Sequence, residues 1–162
     1  MRYLAIDLGD KRTGLALGDV VTGLASPIGV LEVAVVERDG ESLLDAIARA
    51  VDEQIGGGSA GQLVVGLPMN MDGTEGPRAK VVRAFAARIA ARTGRAIHFQ
   101  DERLTTSEAD WTMARSGLTR GQKKARRDAL AAAAILRDFL AQKSSTRRAA
   151  EGHGEESSGG AA

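Results

Sequence analysis

Two short apolar segments, residues 3–8 and 13–18, flank the turn-forming run Gly9-Asp10-Lys11-Arg12, and this N-terminal hairpin limits what the rest of the chain can build. A third strand reads from Ala25 to Val36, with Gly and Pro interrupting its start. After it the period of the pattern changes. Leu43, Leu44, Ile47, Ala50, Val51 and Ile55 recur at helical spacing behind Ser42-Leu43-Leu44-Asp45, which reads as a capping box, and Gly56-Gly57-Gly58 stops the helix. Residues 62–66 form a short buried strand ending in Leu67-Pro68. Pro77 opens a helix carrying Val81, Val82, Phe85, Ile89 and Ala90, closed by Gly94. A strand over 96–100, a helix over about 107–115, a glycine-marked basic loop and a final helix over about 127–142 follow. Three hairpin-connected strands, then helix–strand–helix–strand–helix, predict an α/β fold. Its five-stranded mixed sheet has three antiparallel strands, then two parallel ones, with the first strand central and helices on both faces.

At 162 residues this is one domain with little left over. Residues 1–142 are assigned to it. Residues 143–162 are rich in Ser, Gly, Ala and Glu without an apolar face, so they are expected to be disordered, and His153 within them is expected to be solvated. The absence of cysteine excludes disulfides, cysteine–zinc sites and thiol catalysis. No apolar run approaches the roughly 20 residues that span a bilayer, and Asp7 stands where a signal peptide stays apolar, so the chain is expected to be cytoplasmic. Net charge is only +1, but Arg115, Arg120, Lys123, Lys124, Arg126 and Arg127 form an acid-free stretch. Such a stretch attracts a polyanion or simply keeps a loop solvated.

Three acids carry the chemical question. Asp7 lies in the otherwise apolar Leu4-Ala5-Ile6-Asp7-Leu8. A carboxylate there needs a metal, an ion pair or hydrogen bonds; the turn amides of residues 9–11 are one structural alternative. Asp101 and Glu102 end a predicted parallel strand, where open α/β sheets place their ligands. Strand alternation turns these two to opposite sides, so only one can face a site there. Asp101 also reads as a surface acid or an ion-pair partner of Arg103, and Thr106 or Ser107 as a helix cap. Asp128 opens the alanine-rich 128–136, where a helix dipole alone favours an acid. The alanines behind it permit close packing on a sheet. The glycines of the hairpin permit close backbone approach to a phosphate or serve only the turn, and they fit neither a Walker motif nor the dinucleotide fingerprint. Lys11 and Arg12 at its tip are candidate phosphate contacts, as is Asn70 in the loop 66–74; the methionines there and Trp111 read as packing residues.

Taken in order, Asp7-Leu8-Gly9-Asp10-Lys11-Arg12-Thr13-Gly14-Leu15-Ala16, Val65-Gly66-Leu67-Pro68, Asn70-Met71-Asp72-Gly73-Thr74, Asp101-Glu102-Arg103-Leu104-Thr105-Thr106 and Asp128-Ala129-Leu130-Ala131-Ala132 resemble the YqgF family, also called RuvX. Its members are pre-16S rRNA nucleases related to RuvC-type Holliday junction resolvases. The resemblance covers residues 1–142 and implies an RNase H-like fold. It places the family's acidic site on Asp7, Glu102 and Asp128, which would hold Mg²⁺ or Mn²⁺ and act as the catalytic set. It implies a phosphodiester hydrolase acting in 5′ maturation of pre-16S rRNA, with Lys11, Arg12, Asn70, Arg103, Lys123 and Lys124 on the substrate. The implied partner is nucleic acid, structured RNA first and branched DNA second, with no membrane, and the chain a monomer or a homodimer. Competing readings are a DNA junction resolvase and a non-catalytic RNA-binding assembly factor. An actin-like ATPase would need a second domain, for which the chain has no room.

Overall fold

The computed structural model describes residues 1–57, 60–103 and 119–152. Five strands, β1 (Arg2–Leu8), β2 (Thr13–Asp19), β3 (Ala25–Leu31), β4 (Gly61–Leu67) and β5 (Ile97–Asp101), make one sheet in the order β3-β2-β1-β4-β5. The pairs β1–β2 and β2–β3 are antiparallel, and β1–β4 and β4–β5 are parallel. The central strand is β1, and the mixed topology is the one the element order predicts. Strand β3 stops at Leu31 rather than reaching Val36, because the chain turns away from β2 there; Val33 and Val35 still pack on the core.

Helices α1 (Glu41–Ile55) and α2 (Pro77–Thr93) cover one face of the sheet. They bury Leu43, Ile47, Val51, Val82, Phe85 and Ile89 against Leu4, Ile6, Leu63 and Val65. Period-two alternation sends Tyr3, Ala5, Ala16 and Val64 to the other face, where helix α3 (Arg120–Gly152) lays Ala132, Ile135, Leu136, Phe139 and Leu140 on them. The β2 positions facing α3 are Gly14, Ala16 and Gly18, small enough to bring the helix close to the sheet. A Cβ on Gly18 would sit 2.9 Å from Leu136 Cδ2. The helix α2 begins at Pro77 and ends at Gly94 with φ +65°, as its sequence signals.

Three local expectations are corrected. The capping box at Ser42 is not formed. Helix α1 starts two residues earlier, behind Gly40 with φ +85° and without a side-chain cap; Arg88 and Arg92 of α2 pair instead with its first-turn Glu41. Residues 120–127 are helical, not a loop: the basic segment forms the first turns of α3, the bonds between Thr119 and Gln122 cap its start, and the exposed Gly121 is absorbed at small cost. At the other end, residues 143–152 continue α3 instead of being disordered. A helix already nucleated by buried residues elongates at little expense. Here Arg147 pairs with Glu151 one turn on, and Lys143 lies over the rings of Tyr3 and Phe139. The predicted helix over 107–115, Trp111 and His153 lie outside the described residues. No helix among the described residues is long and apolar enough to cross a membrane.

Candidate active site

The carboxyl-terminal ends of β1 and β5 and the third turn of α3 meet on the α3 face of the sheet. Asp7 shares the parity of Tyr3 and Ala5, so its side chain leaves β1 on that face. Glu102 directly follows β5 and shares the parity of His98 and Gln100; His98 stacks edge-on with Tyr3 on the same face. Asp101 points the other way, where it accepts from Arg103 Nε at 2.7 Å. The two adjacent acids thus leave the strand on opposite sides, as strand alternation predicts.

Close backbone approaches set the geometry. Gly66 on β4 lies between the two carboxylate-bearing strands, and a Cβ there would come within 2.8 Å of Glu102 Oε2 and 2.6 Å of Ile135 Cδ1. Gly14 pairs with Asp7 across β1–β2. A Cβ at Gly14 would overlap the main-chain carbonyl of Asp128. The helix backbone at Asp128 is thus seated on β2 beside Asp7. Asp128 is nine residues into α3, well past the first turn, so the helix dipole does not explain an acid there. Its Oδ2 accepts instead from Arg12 Nε at 2.8 Å.

Asp7 and Glu102 share a hydrogen bond. Burial, with the Glu102 and Asp128 carboxylates nearby, pushes the Asp7 carboxyl up to about 7, against the pull of the Arg78 charge. Burial also raises Glu102, which accepts from Asp7 and feels the same arginine. Burial thus favours a proton shared between the two carboxyls over two adjacent charges. The folded protein keeps on Asp7 a proton that the unfolded chain loses near pH 4, so the stability it contributes is present below that pH and is lost as pH rises through about 7. In EDTA, the unfolding free energy of the wild type relative to Asp7→Asn is expected to fall between pH 5 and pH 8, by about 1–4 kcal/mol. Urea titrations of both proteins at the two pH values measure it; parallel profiles would contradict the shared proton.

Other predicted site residues divide. Lys11 is exposed at the hairpin tip, Lys123 is half-buried and Lys124 exposed in the first turns of α3. Asn70 and Arg103 are occupied in building a loop. Asn70 Nδ2 donates to Thr74 Oγ1 at 3.0 Å, and the Arg103 guanidinium, held by Asp101, reaches the carbonyls of Asn70 and Met71. Arg78 is the residue that sequence reasoning missed. From the first turn of α2 it pairs with Asp10 and donates to the Leu8 carbonyl at 3.2 Å, fixing the hairpin base beside Asp7. Its signal in the sequence was a cation directly after Pro77 at a helix N-terminus, the end that disfavours positive charge.

The donor set suits a hard divalent cation. Oxygen ligands are what Mg²⁺ and Mn²⁺ prefer, and two carboxyls forced to share a proton gain most from a cation that replaces it. Among the described residues, however, no three acidic or histidine side chains converge closely enough to form a complete metal cluster. Asp7 and Glu102 are together, while the Asp128 carboxylate is turned to Arg12.

The chain is similar to known proteins over most of its length. A relative from Anaeromyxobacter sp. (strain Fw109-5), described as "Putative pre-16S rRNA nuclease", is 43% identical over 140 residues, which are 86% of this chain and 96% of that one. One from Pelotomaculum thermopropionicum with the same description is 38% identical over 152 residues, 94% of each chain. Among solved structures, Thermus thermophilus RuvC superposes with a TM-score of 0.51 at 15% identity, covering 90% of this chain and 98% of that one. RuvC of the same organism in complex with a Holliday junction substrate gives 0.52 at 14%, covering 90% and 97%. These two likenesses concern the fold, and they bear out the RNase H-like architecture expected from the sequence. The family model described as "RuvX: Holliday junction resolvase" matches residues 1–142, and with relatives this similar over nearly their whole length the chain belongs to the RuvX family.

Proposed function

We propose that the chain is a divalent-metal-dependent endonuclease that hydrolyses phosphodiester bonds in the 5′ maturation of pre-16S rRNA, with Asp7, Glu102 and Asp128 as its metal-holding and catalytic residues. The observation that carries this reading is the hydrogen-bonded pair of carboxyls, Asp7 and Glu102, brought together at the ends of β1 and β5 beside Gly66. Such a pair is a costly thing for a fold to keep buried unless a cation uses it. Mg²⁺ or Mn²⁺ bound there would supply an activated water and charge stabilisation for in-line displacement. Asp7, Glu102 and Asp128 would hold the ion, Arg78 fixes the β1–β2 turn beside them, and Lys11, Arg12, Lys123 and Lys124 would orient phosphates without reading sequence. The names of the relatives support an RNA substrate, and the family description supports a four-way DNA junction as the second reading.

Cleavage of end-labelled precursor rRNA and of four-way DNA junctions in the same buffer decides between the two substrates. Cleavage of neither, with Mg²⁺ or Mn²⁺ supplied, would contradict the nuclease reading. A second expectation concerns affinity. Lys123→Gln with Lys124→Gln is expected to weaken binding to every nucleic acid alike and to reduce the slope of log K against log salt by roughly 1 to 2, because fewer counterions are released. Filter binding across a salt series checks it; an unchanged slope and affinity would remove both lysines from the interface.

A further inference from the structure

The pairing of Arg12 with Asp128 crosses the site. Arg12 closes the β1–β2 turn, Asp128 lies on α3, and Nε meets Oδ2 at 2.8 Å with side chains 22% and 28% exposed. Those exposures place the bond at a water-accessible rim, where an anion arriving from solvent can compete for the guanidinium. Only Nε is engaged among the described residues. A phosphate that meets the Nε edge of the fork with two oxygens would exchange the single bond to Asp128 for a bidentate pair. The helix backbone has little freedom to respond, because the Asp128 carbonyl is seated on Gly14 with no room for even a methyl group. What can turn is the side chain of Asp128, whose Cα stands one strand away from Asp7.

We propose that Arg12 is a positioning residue for Asp128: it holds the third carboxylate away from the Asp7–Glu102 pair until a substrate phosphate takes over its guanidinium, and the freed carboxylate then completes the cation site. The inference rests on the metal-nuclease reading above. It explains why two carboxyls are gathered while the third, one strand away, is tied to an arginine. It also makes phosphate and cation binding mutually reinforcing. By linkage, whatever releases Asp128 for the ion must in turn be bound more tightly when the ion is present. An enzyme so built keeps a weak, incomplete cation site when no nucleic acid is bound and strengthens it at the substrate.

The test uses the full chain and reads binding rather than turnover. Mn²⁺ is titrated calorimetrically into wild type, Arg12→Gln, Arg12→Lys and Asp7→Asn without nucleic acid, after circular dichroism has shown each variant folded. Arg12→Gln is expected to bind Mn²⁺ about 5- to 10-fold more tightly than wild type, within the usual range of coupling factors. Arg12→Lys, which keeps the charge without the planar fork, is expected to fall between them. The affinity of a short phosphorothioate RNA hairpin is then measured with and without Mn²⁺. Wild type is expected to gain at least about fivefold from the ion and Arg12→Gln to gain little. Equal or weaker Mn²⁺ binding by Arg12→Gln, or an undiminished gain in that variant, would overturn the proposal. Asp7→Asn separates the two levels of argument. If it binds Mn²⁺ like wild type, the cation site itself is misassigned; if it loses the ion while Arg12→Gln is unchanged, the site stands and only the role of Arg12 falls.

Discussion

Asp7→Asn is expected to lower phosphodiester cleavage by on the order of a thousandfold or more while leaving the protein folded. Loss of a metal-held charge in the transition state costs several kcal/mol, and each 1.4 kcal/mol is about tenfold in rate. The substitution is close to isosteric, and in the metal-free protein it removes a source of repulsion beside Glu102, so the fold should gain rather than lose stability at neutral pH. Glu102→Gln and Asp128→Asn are expected to behave alike in cleavage, with one difference. Asp128→Asn also releases Arg12, so its folded state loses an ion pair that the other two variants keep. Single-turnover cleavage with thermal unfolding of each variant measures both effects. Two well-folded variants with wild-type rates would refute the assignment of these acids; a variant that does not fold tells nothing about chemistry.

Gly14→Ala is the second large effect expected, and it acts through packing. The added Cβ would overlap the carbonyl of Asp128, so either β2 or α3 must move. Forcing an extra carbon into a closed contact of this kind costs typically about 1–3 kcal/mol, which for a domain of this size lowers the melting temperature by several degrees. The displaced backbone is the one that carries Asp128, so cleavage is expected to fall at least about tenfold, in step with the geometric sensitivity of oriented catalysis. Gly121→Ala is the control. It lies in the same helix, a Cβ there meets nothing within 4 Å, and the change is expected to stabilise by roughly 0.5–1 kcal/mol through helix propensity alone. If Gly14→Ala melts with the wild type, the close seat of α3 on β2 does not exist in solution.

The fold was legible because its signals are periodic. The short apolar runs of β1 and β4, bounded by turn residues, and the 3.6-residue spacing of α1 and α2 mark the elements, and their order then leaves one mixed sheet. The acid in β1 was legible for the opposite reason, as a break in the pattern. Alternation also showed, without a structure, that Asp101 and Glu102 leave the strand on opposite sides, though not which of them faces the site. What stayed hidden depends on contacts between segments far apart in sequence. Nothing local announces that Arg12 meets Asp128 across 116 residues or that Arg78 reaches the turn before it. The start of α3 was misplaced because a glycine and a run of cations look like a loop, and the helix beyond residue 142 because a polar segment does not show that it is continuing a helix nucleated elsewhere.

The opposed orientation of Asp101 and Glu102 has a consequence for how this strand can vary. Deleting one residue between Ile97 and Gln100 would exchange the faces on which every later side chain emerges. Glu102 would turn toward the α1–α2 layer, Asp101 would move back to the register position of Gln100, and Arg103 would take the position that Glu102 held. A cation would then stand near Asp7 in place of the acid. The same slip would undo the pairing by which Asp101 anchors Arg103 beneath the carbonyls of Asn70 and Met71. A deletion in β5 thus reverses the charge at the site and frees the neighbouring loop in one step, and only a compensating insertion within the strand restores both.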